Sequence, residues 1–139
     1  MADENYKELF PELLSKLVLN VDDNEMNQLV LSQILRNAGI KVESALNGEE
    51  AIDILKSGLK PDFILLDLEM PKMNGIDTAY FIKKNIDAKI PIIINTGYAA
   101  AHEKWRLNRL GINEYLEKPY KMIDIFSKLS HHVHSDVTH

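Results

Sequence analysis

The chain has 139 residues, 45% of them hydrophobic and 27% charged, with a formal net charge of −5 and no cysteine. That length suits one domain with a substantial core, and the composition is that of an ordinary globular protein. Cysteine's absence removes disulfide frameworks and thiol catalysis, and the acidic balance without a basic block argues against nucleic acid as a direct partner. No apolar run approaches the roughly 20 residues of a membrane span. The start, MADENYKELF, lacks the basic and apolar regions of a signal peptide. The expectation is a cytoplasmic protein with no membrane insertion.

In chain order, residues 1–15 come first, and NYKELF suits a helical turn before Pro11, a short ordered appendage. Apolar or β-branched runs then recur as KLVLNV (16–21), IKVESA (40–45), DFILL (62–66), IPIIIN (90–95) and INEYL (112–116). Helical stretches separate them. Asn24 can cap a helix whose Met26, Leu29, Val30 and Ile34 fall on one side, ended by Gly39. Asn47-Gly48 opens a second, carrying Ala51, Ile52 and Leu55 up to Gly58. Asn74-Gly75 opens a third, with Ile76, Ala79, Tyr80 and Ile82. A fourth runs from about Ala99 to Leu110, with Leu107 and Leu110 toward the sheet and Trp105 roughly opposite. The last begins at Pro119 and spaces Met122, Phe126, Leu129 and Val133 helically. The His-rich end SHHVHSDVTH matches no compact ligand set and reads as a frayed tail.

Strict alternation of five strands and five helices predicts right-handed crossovers and a parallel sheet covered on both faces. The runs at 62–66 and 90–95 are almost continuously apolar, as central strands are; 40–45 alternates more, as suits an edge. Sites in such sheets form at the carboxyl ends of the strands. There the first strand delivers Asp22-Asp23, the third Asp67, the fourth Thr96 and the fifth Lys118-Pro119. On its own, Asp22-Asp23 better suits a cap at the positive end of the first helix. Once Asp67 arrives at the same edge, three mutually repelling carboxylates favour a hard divalent cation, Mg²⁺ or Mn²⁺. Lys118 as counter-ion and the Thr96 hydroxyl then complete a phosphoryl pocket with Asp67 as nucleophile.

NVDDNEMN, PDFILLDLEMPKMNG, IPIIINTG and YLEKP together resemble the receiver domain of two-component response regulators, chemotaxis-regulator-like and similar also to hybrid-kinase receivers. The resemblance implies a flavodoxin-like doubly wound (βα)5 fold, an α/β architecture with parallel strands in the order 2-1-3-4-5. It divides the chain into the appendage 1–15, the receiver domain 16–133 and a flexible tail, 134–139. It implies that Asp67 accepts a phosphoryl group from the phosphohistidine of a sensor histidine kinase or a histidine phosphotransfer protein. Asp22, Asp23 and Asp67, with the backbone carbonyl of Glu69, would hold Mg²⁺; Thr96 and Lys118 would bind phosphoryl oxygens. Tyr115 falls at the switch aromatic, and a cis peptide is implied between Lys118 and Pro119. The face of the fourth helix, fifth strand and fifth helix would then dock an unknown downstream protein.

Gly97 follows Thr96 where the family commonly has alanine, Tyr98 and Glu69 flank the entrance, and Asn20 sits in a strand that would usually be apolar there. Trp105 suits either a partner anchor or a ring lying on its own helix or a neighbouring loop, and Lys104, Arg106 and Arg109 suit a solvated face but are compatible with an acidic partner. Three rival functions remain: a small-phosphate hydrolase using Asp67, a flavodoxin-like cofactor binder, and a phosphorylation-independent interaction module. The first lacks a second aspartate two residues after the nucleophile, and the second lacks a Gly-rich phosphate loop.

Overall fold

The aliphatic runs form five strands, β1 (Leu17–Val21), β2 (Lys41–Ala45), β3 (Phe63–Asp67), β4 (Ile92–Thr96) and β5 (Glu114–Glu117). In the computed structural model, which describes residues 5–68, 75–96, 104–117 and 121–137, they pair entirely in parallel, in the order β2-β1-β3-β4-β5. This is the expected doubly wound order. The helices are α1 (Tyr6–Leu9), α2 (Glu25–Asn37), α3 (Gly48–Lys56), α4 (Gly75–Phe81), α5 (Lys104–Arg109) and α6 (Met122–Val137). A 3₁₀ turn, Pro11–Leu13, follows α1, and a π turn, Ile82–Ile86, extends α4.

Strand side chains alternate between faces, so the sheet separates two cores. On one side Leu19, Val21, Ile64, Leu66, Ile92 and Ile94 meet α3, α4 and α5. On the other Val18, Phe63, Leu65 and Ile93 meet α2 and α6. The N-terminal segment belongs to the second core: Leu13 is fully buried, Tyr6 stacks on Phe126 with centroids 4.2 Å apart, and Phe10 lies 5.7 Å from the same ring. Ser130 donates a hydrogen bond to the Glu12 carboxylate. α6 remains helical to Val137, past residue 133.

Two helix faces differ from expectation. On α2 the buried side chains are Leu31, Ser32 and Leu35, while Met26, Leu29 and Val30 are 67%, 63% and 50% exposed. At about 100° per residue, Leu31, Leu35 and Ala38 form a stripe, and Met26 and Leu29 fall nearly opposite it. Ile34 alone of the expected set packs against the core, from its margin. On α4, Ile76 and Ala79 are buried, as is Ile82 beyond it, but Tyr80 is 53% exposed, because the adjacent Ala79 already occupies the inward direction. β5 starts at Glu114; Ile112 is buried as a loop residue that donates back to Leu107 O.

Candidate functional site

The β1–α2 turn places the first two carboxylates. Asp22 donates its N–H to Ala45 O (3.1 Å), and its Oδ1 accepts from Asn24 N–H (2.9 Å). Asn24 in turn caps α2 by accepting from Asn27 N–H at 2.9 Å. Gln28 reaches back from the helix, its Nε2 donating to Ala45 O at 2.7 Å and lying 3.3 Å from Asn20 O and Asp22 O. Gln28 therefore ties helix, turn and edge strand together. That tie was not foreseen in the sequence, where a glutamine on a helix reads as a solvated residue.

Asp67 ends β3, with Leu68 N–H donating to Asn95 O (3.2 Å) and Gly75 N–H donating to Leu68 O (3.1 Å). A Cβ on Gly75 would lie 2.5 Å from both the Asp67 carbonyl oxygen and Leu68 Cα. Only glycine lets α4 start this close to the strand that carries Asp67.

Asp22, Asp23 and Asp67 each bring a carboxylate oxygen within 4.8 Å of the others. Asp22 and Asp67 are buried and Asp23 is exposed. Oxygens on opposite sides of one Mg²⁺ stand about 4.2 Å apart, twice its bond length. The all-oxygen set thus fits a hard divalent cation with a small rotamer adjustment or an intervening water.

Thr96 closes β4 opposite Glu117 of β5, at the same sheet edge. Lys118, Pro119 and their peptide bond, Glu69, Gly97, Tyr98 and the expected starts of the fourth and last helices lie outside the described residues, as does the Thr96 side chain. Asn95 is the neighbour the sequence reading passed over. It pairs in register with Asp67, is buried, and has no partner for Oδ1 among the described residues. A polar residue in an otherwise aliphatic strand was the available signal. Asn20 is also fully buried, with neither amide atom partnered among the described residues.

Tyr115 packs at the margin of the α3–α4–α5 core. Its hydroxyl lies 2.7 Å from Asn108 Oδ1, 3.0 Å from Ile112 O and 3.3 Å from Lys104 O, so its one hydrogen is best given to Asn108. Burial raises its pKa above the ordinary phenol value. Lys104 sits 4.8 Å over the Tyr115 ring and pairs with Glu117 at 2.7 Å. That hydrogen bond and charge lower the Glu117 pKa. Lys104 therefore faces β5, apart from Trp105, which stands 59% exposed with Arg109 6.0 Å over its ring.

Among the described residues no helix is long and apolar enough to cross a membrane. The response regulator receiver domain pattern matches residues 18–130. The two-component response regulator 24 of Arabidopsis thaliana is 37% identical over 139 residues, covering 96% of this chain and 99% of its own. Sensor histidine kinase CheAY of Helicobacter pylori is 37% identical over 106 residues, 75% of this chain and 13% of that protein. Among solved structures, the receiver domain of sensor histidine kinase PA1611 from Pseudomonas aeruginosa, with a magnesium ion in its active-site cleft, superposes with a TM-score of 0.76. It is 27% identical, over 86% of this chain and 98% of that one. With the strand order, the carboxylate edge and a match that spans most of its length, the chain belongs to the response regulator receiver domain family.

Proposed function

We propose that this receiver is a cytoplasmic phosphoacceptor in which Asp67 takes the phosphoryl group of a phosphohistidine, on a sensor histidine kinase or a histidine phosphotransfer protein. The observation that carries the reading is the meeting of Asp22, Asp23 and Asp67 oxygens within 4.8 Å at the carboxyl edge of the sheet. Asp22, Asp23 and Asp67, with the Glu69 carbonyl, are the residues to hold Mg²⁺, or Mn²⁺. When bound, the cation offsets repulsion among the carboxylates and charge on the transferring oxygens.

An Asp67 carboxylate oxygen attacks phosphorus in line. As the O–P bond forms, the N–P bond of the donor breaks, and its electron pair returns to the imidazole nitrogen, which then takes a proton from water. The product is an acyl phosphate. Attack of water at phosphorus releases inorganic phosphate and restores the Asp67 carboxylate, which resets the signal. Thr96 and Lys118 hold the phosphoryl oxygens, and Tyr115 follows them by leaving Asn108, which reshapes the face of α5, β5 and α6.

A protein donor is supported by α2, whose exposed Met26, Leu29 and Val30 begin three residues after Asp23. A macromolecule seated there brings its phosphohistidine beside the carboxylates. Intact-mass analysis after incubation with Mg²⁺ and acetyl phosphate tests the chemistry. One hydrolysable, magnesium-dependent phosphoryl adduct is expected on the wild type and none on Asp67→Asn. No adduct on a folded protein with either cation would sink the reading in favour of a phosphorylation-independent module.

A further inference from the structure

The groove between α4 and α5 exposes more aromatic surface than any other described part of the molecule. Tyr80 (53% exposed) stands on one bank and Trp105 (59%) on the other, over a floor of Ile76 and Leu110. They enclose a cavity of about 290 Å³. Trp, Tyr and Arg are the residue types that dominate binding hot spots.

Charge selects the occupant. The chain carries a net −5, yet this groove is basic: Arg106 and Arg109 line it against the single acid Asp77. Each ring also has a cation over it, Lys84 at 5.7 Å from the Tyr80 centroid and Arg109 at 6.0 Å from that of Trp105. A basic segment is repelled here. A second copy of this chain, packed isologously with this groove on the two-fold axis, would set Arg109 near its own counterpart. The cavity falls at the small end of sites that enclose a drug-sized ligand, and has room for one or two apolar side chains. Lys104 takes no part, being held by Glu117.

We infer that the α4–α5 groove docks an acidic segment of a partner protein, one that lays a bulky apolar side chain between Tyr80 and Trp105 and a carboxylate on Arg109. The site lies on the far side of the sheet from the exposed patch of α2, so a phosphodonor and this partner can bind together. The inference stands independently of the phosphoacceptor reading.

Trp105 is the chain's one tryptophan, so its emission reports on this groove alone. The probe is a synthetic helix-forming peptide with Leu and Phe four residues apart and Glu at the flanking positions; the control replaces every Glu with Lys. The unphosphorylated full chain is titrated with each. A saturable blue shift is expected with the acidic peptide, at least roughly tenfold tighter than with the control, and weakened by salt. Arg109→Glu, on the surface and checked for an unchanged thermal midpoint, is expected to weaken it about tenfold or more. Tyr80→Ala, read the same way, is expected to weaken both peptides. Equal or tighter binding of the Lys peptide overturns the inference, as does no shift from either peptide at about 1 mM. Emission that shifts with protein concentration alone overturns it too, assigning the groove to a second copy.

Discussion

On the face covered by α3, α4 and α5, the three central strands contribute Leu19, Val21, Ile64, Leu66, Ile92 and Ile94, with no buried polar side chain among them. On the face covered by α2 and α6 the same strands contribute Val18, Phe63, Leu65 and Ile93, and also Asn20, Asp22, Asp67 and Asn95, all buried. One sheet thus keeps a dry side and a polar side. A parallel sheet buried on both faces can be filled entirely with aliphatic residues, so polar groups in the second core need a reason. That reason is position: β1 and β3 enter the carboxyl edge with the register parity that puts Asp22 and Asp67 over α2 and α6. The carboxylate cluster occupies the polar side, and the dry side is left to hold the fold and, at its rim, the Tyr80–Trp105 groove.

The polar side also depends on a lid that the dry side does without. Deleting residues 1–15 removes Leu13 from the core, exposes the fully buried Phe126 and leaves Ser130 without Glu12. A buried leucine lost to a cavity costs about 2–5 kcal/mol, and each aromatic pair adds about 0.5–1.5 kcal/mol. The expected loss is therefore at least about 3 kcal/mol, a large part of a small domain's total stability. Denaturant unfolding of the truncated chain would measure it. A midpoint close to wild type would mean that α2 and α6 close this core unaided.

On the dry side the largest single effect should be simple. Ile94→Ala is expected to cost about 2–5 kcal/mol, because truncating this fully buried side chain leaves an apolar cavity. The polar side should answer in the opposite direction. Asn20 is buried with neither amide atom partnered among the described residues, and an unmade hydrogen bond at a buried group costs about 1–3 kcal/mol. Asn20→Leu, close in shape, should raise stability by that amount. A loss instead would place an ordered water beside Asn20 and make the polar face a wet one.

What the sequence made legible follows the same division. The continuous aliphatic runs of β3 and β4 announced doubly covered strands, and the alternation of β2 announced an edge, because burial on two faces leaves no room for polar residues. The ends of the strands gave Asp22, Asp23 and Asp67, since topology alone brings them together. Helix faces were less legible. α2 carries apolar residues on both sides, Leu31 and Leu35 inward and Met26, Leu29 and Val30 outward, so periodicity could not say which side meets the sheet. Long-range polar ties were illegible for a different reason: Gln28 to Ala45, Glu12 to Ser130 and Tyr115 to Asn108 pair residues of ordinary surface types, which only the folded chain brings into contact.

The smallest effect belongs to a polar atom at the margin of the dry side, whose α4 also buries Thr78. The Tyr115 hydroxyl reaches the margin of that core, but donates to Asn108 and so avoids the penalty that Asn20 carries. Burial raises its pKa above the 10.0 of a free phenol, because the phenolate would lose hydration. The neutral phenol is therefore favoured in the folded chain. Stability is full below the unfolded value near 10 and is lost as pH rises through the higher folded value. Absorbance titration should show a late phenol step, and Tyr115→Phe should remove it while flattening the alkaline loss of stability. Asn108→Ala should cost only about 0.5–1.5 kcal/mol, since Ile112 O, 3.0 Å away, can take over the hydrogen. If no late step appeared, Tyr115 would be solvated rather than lodged at the core.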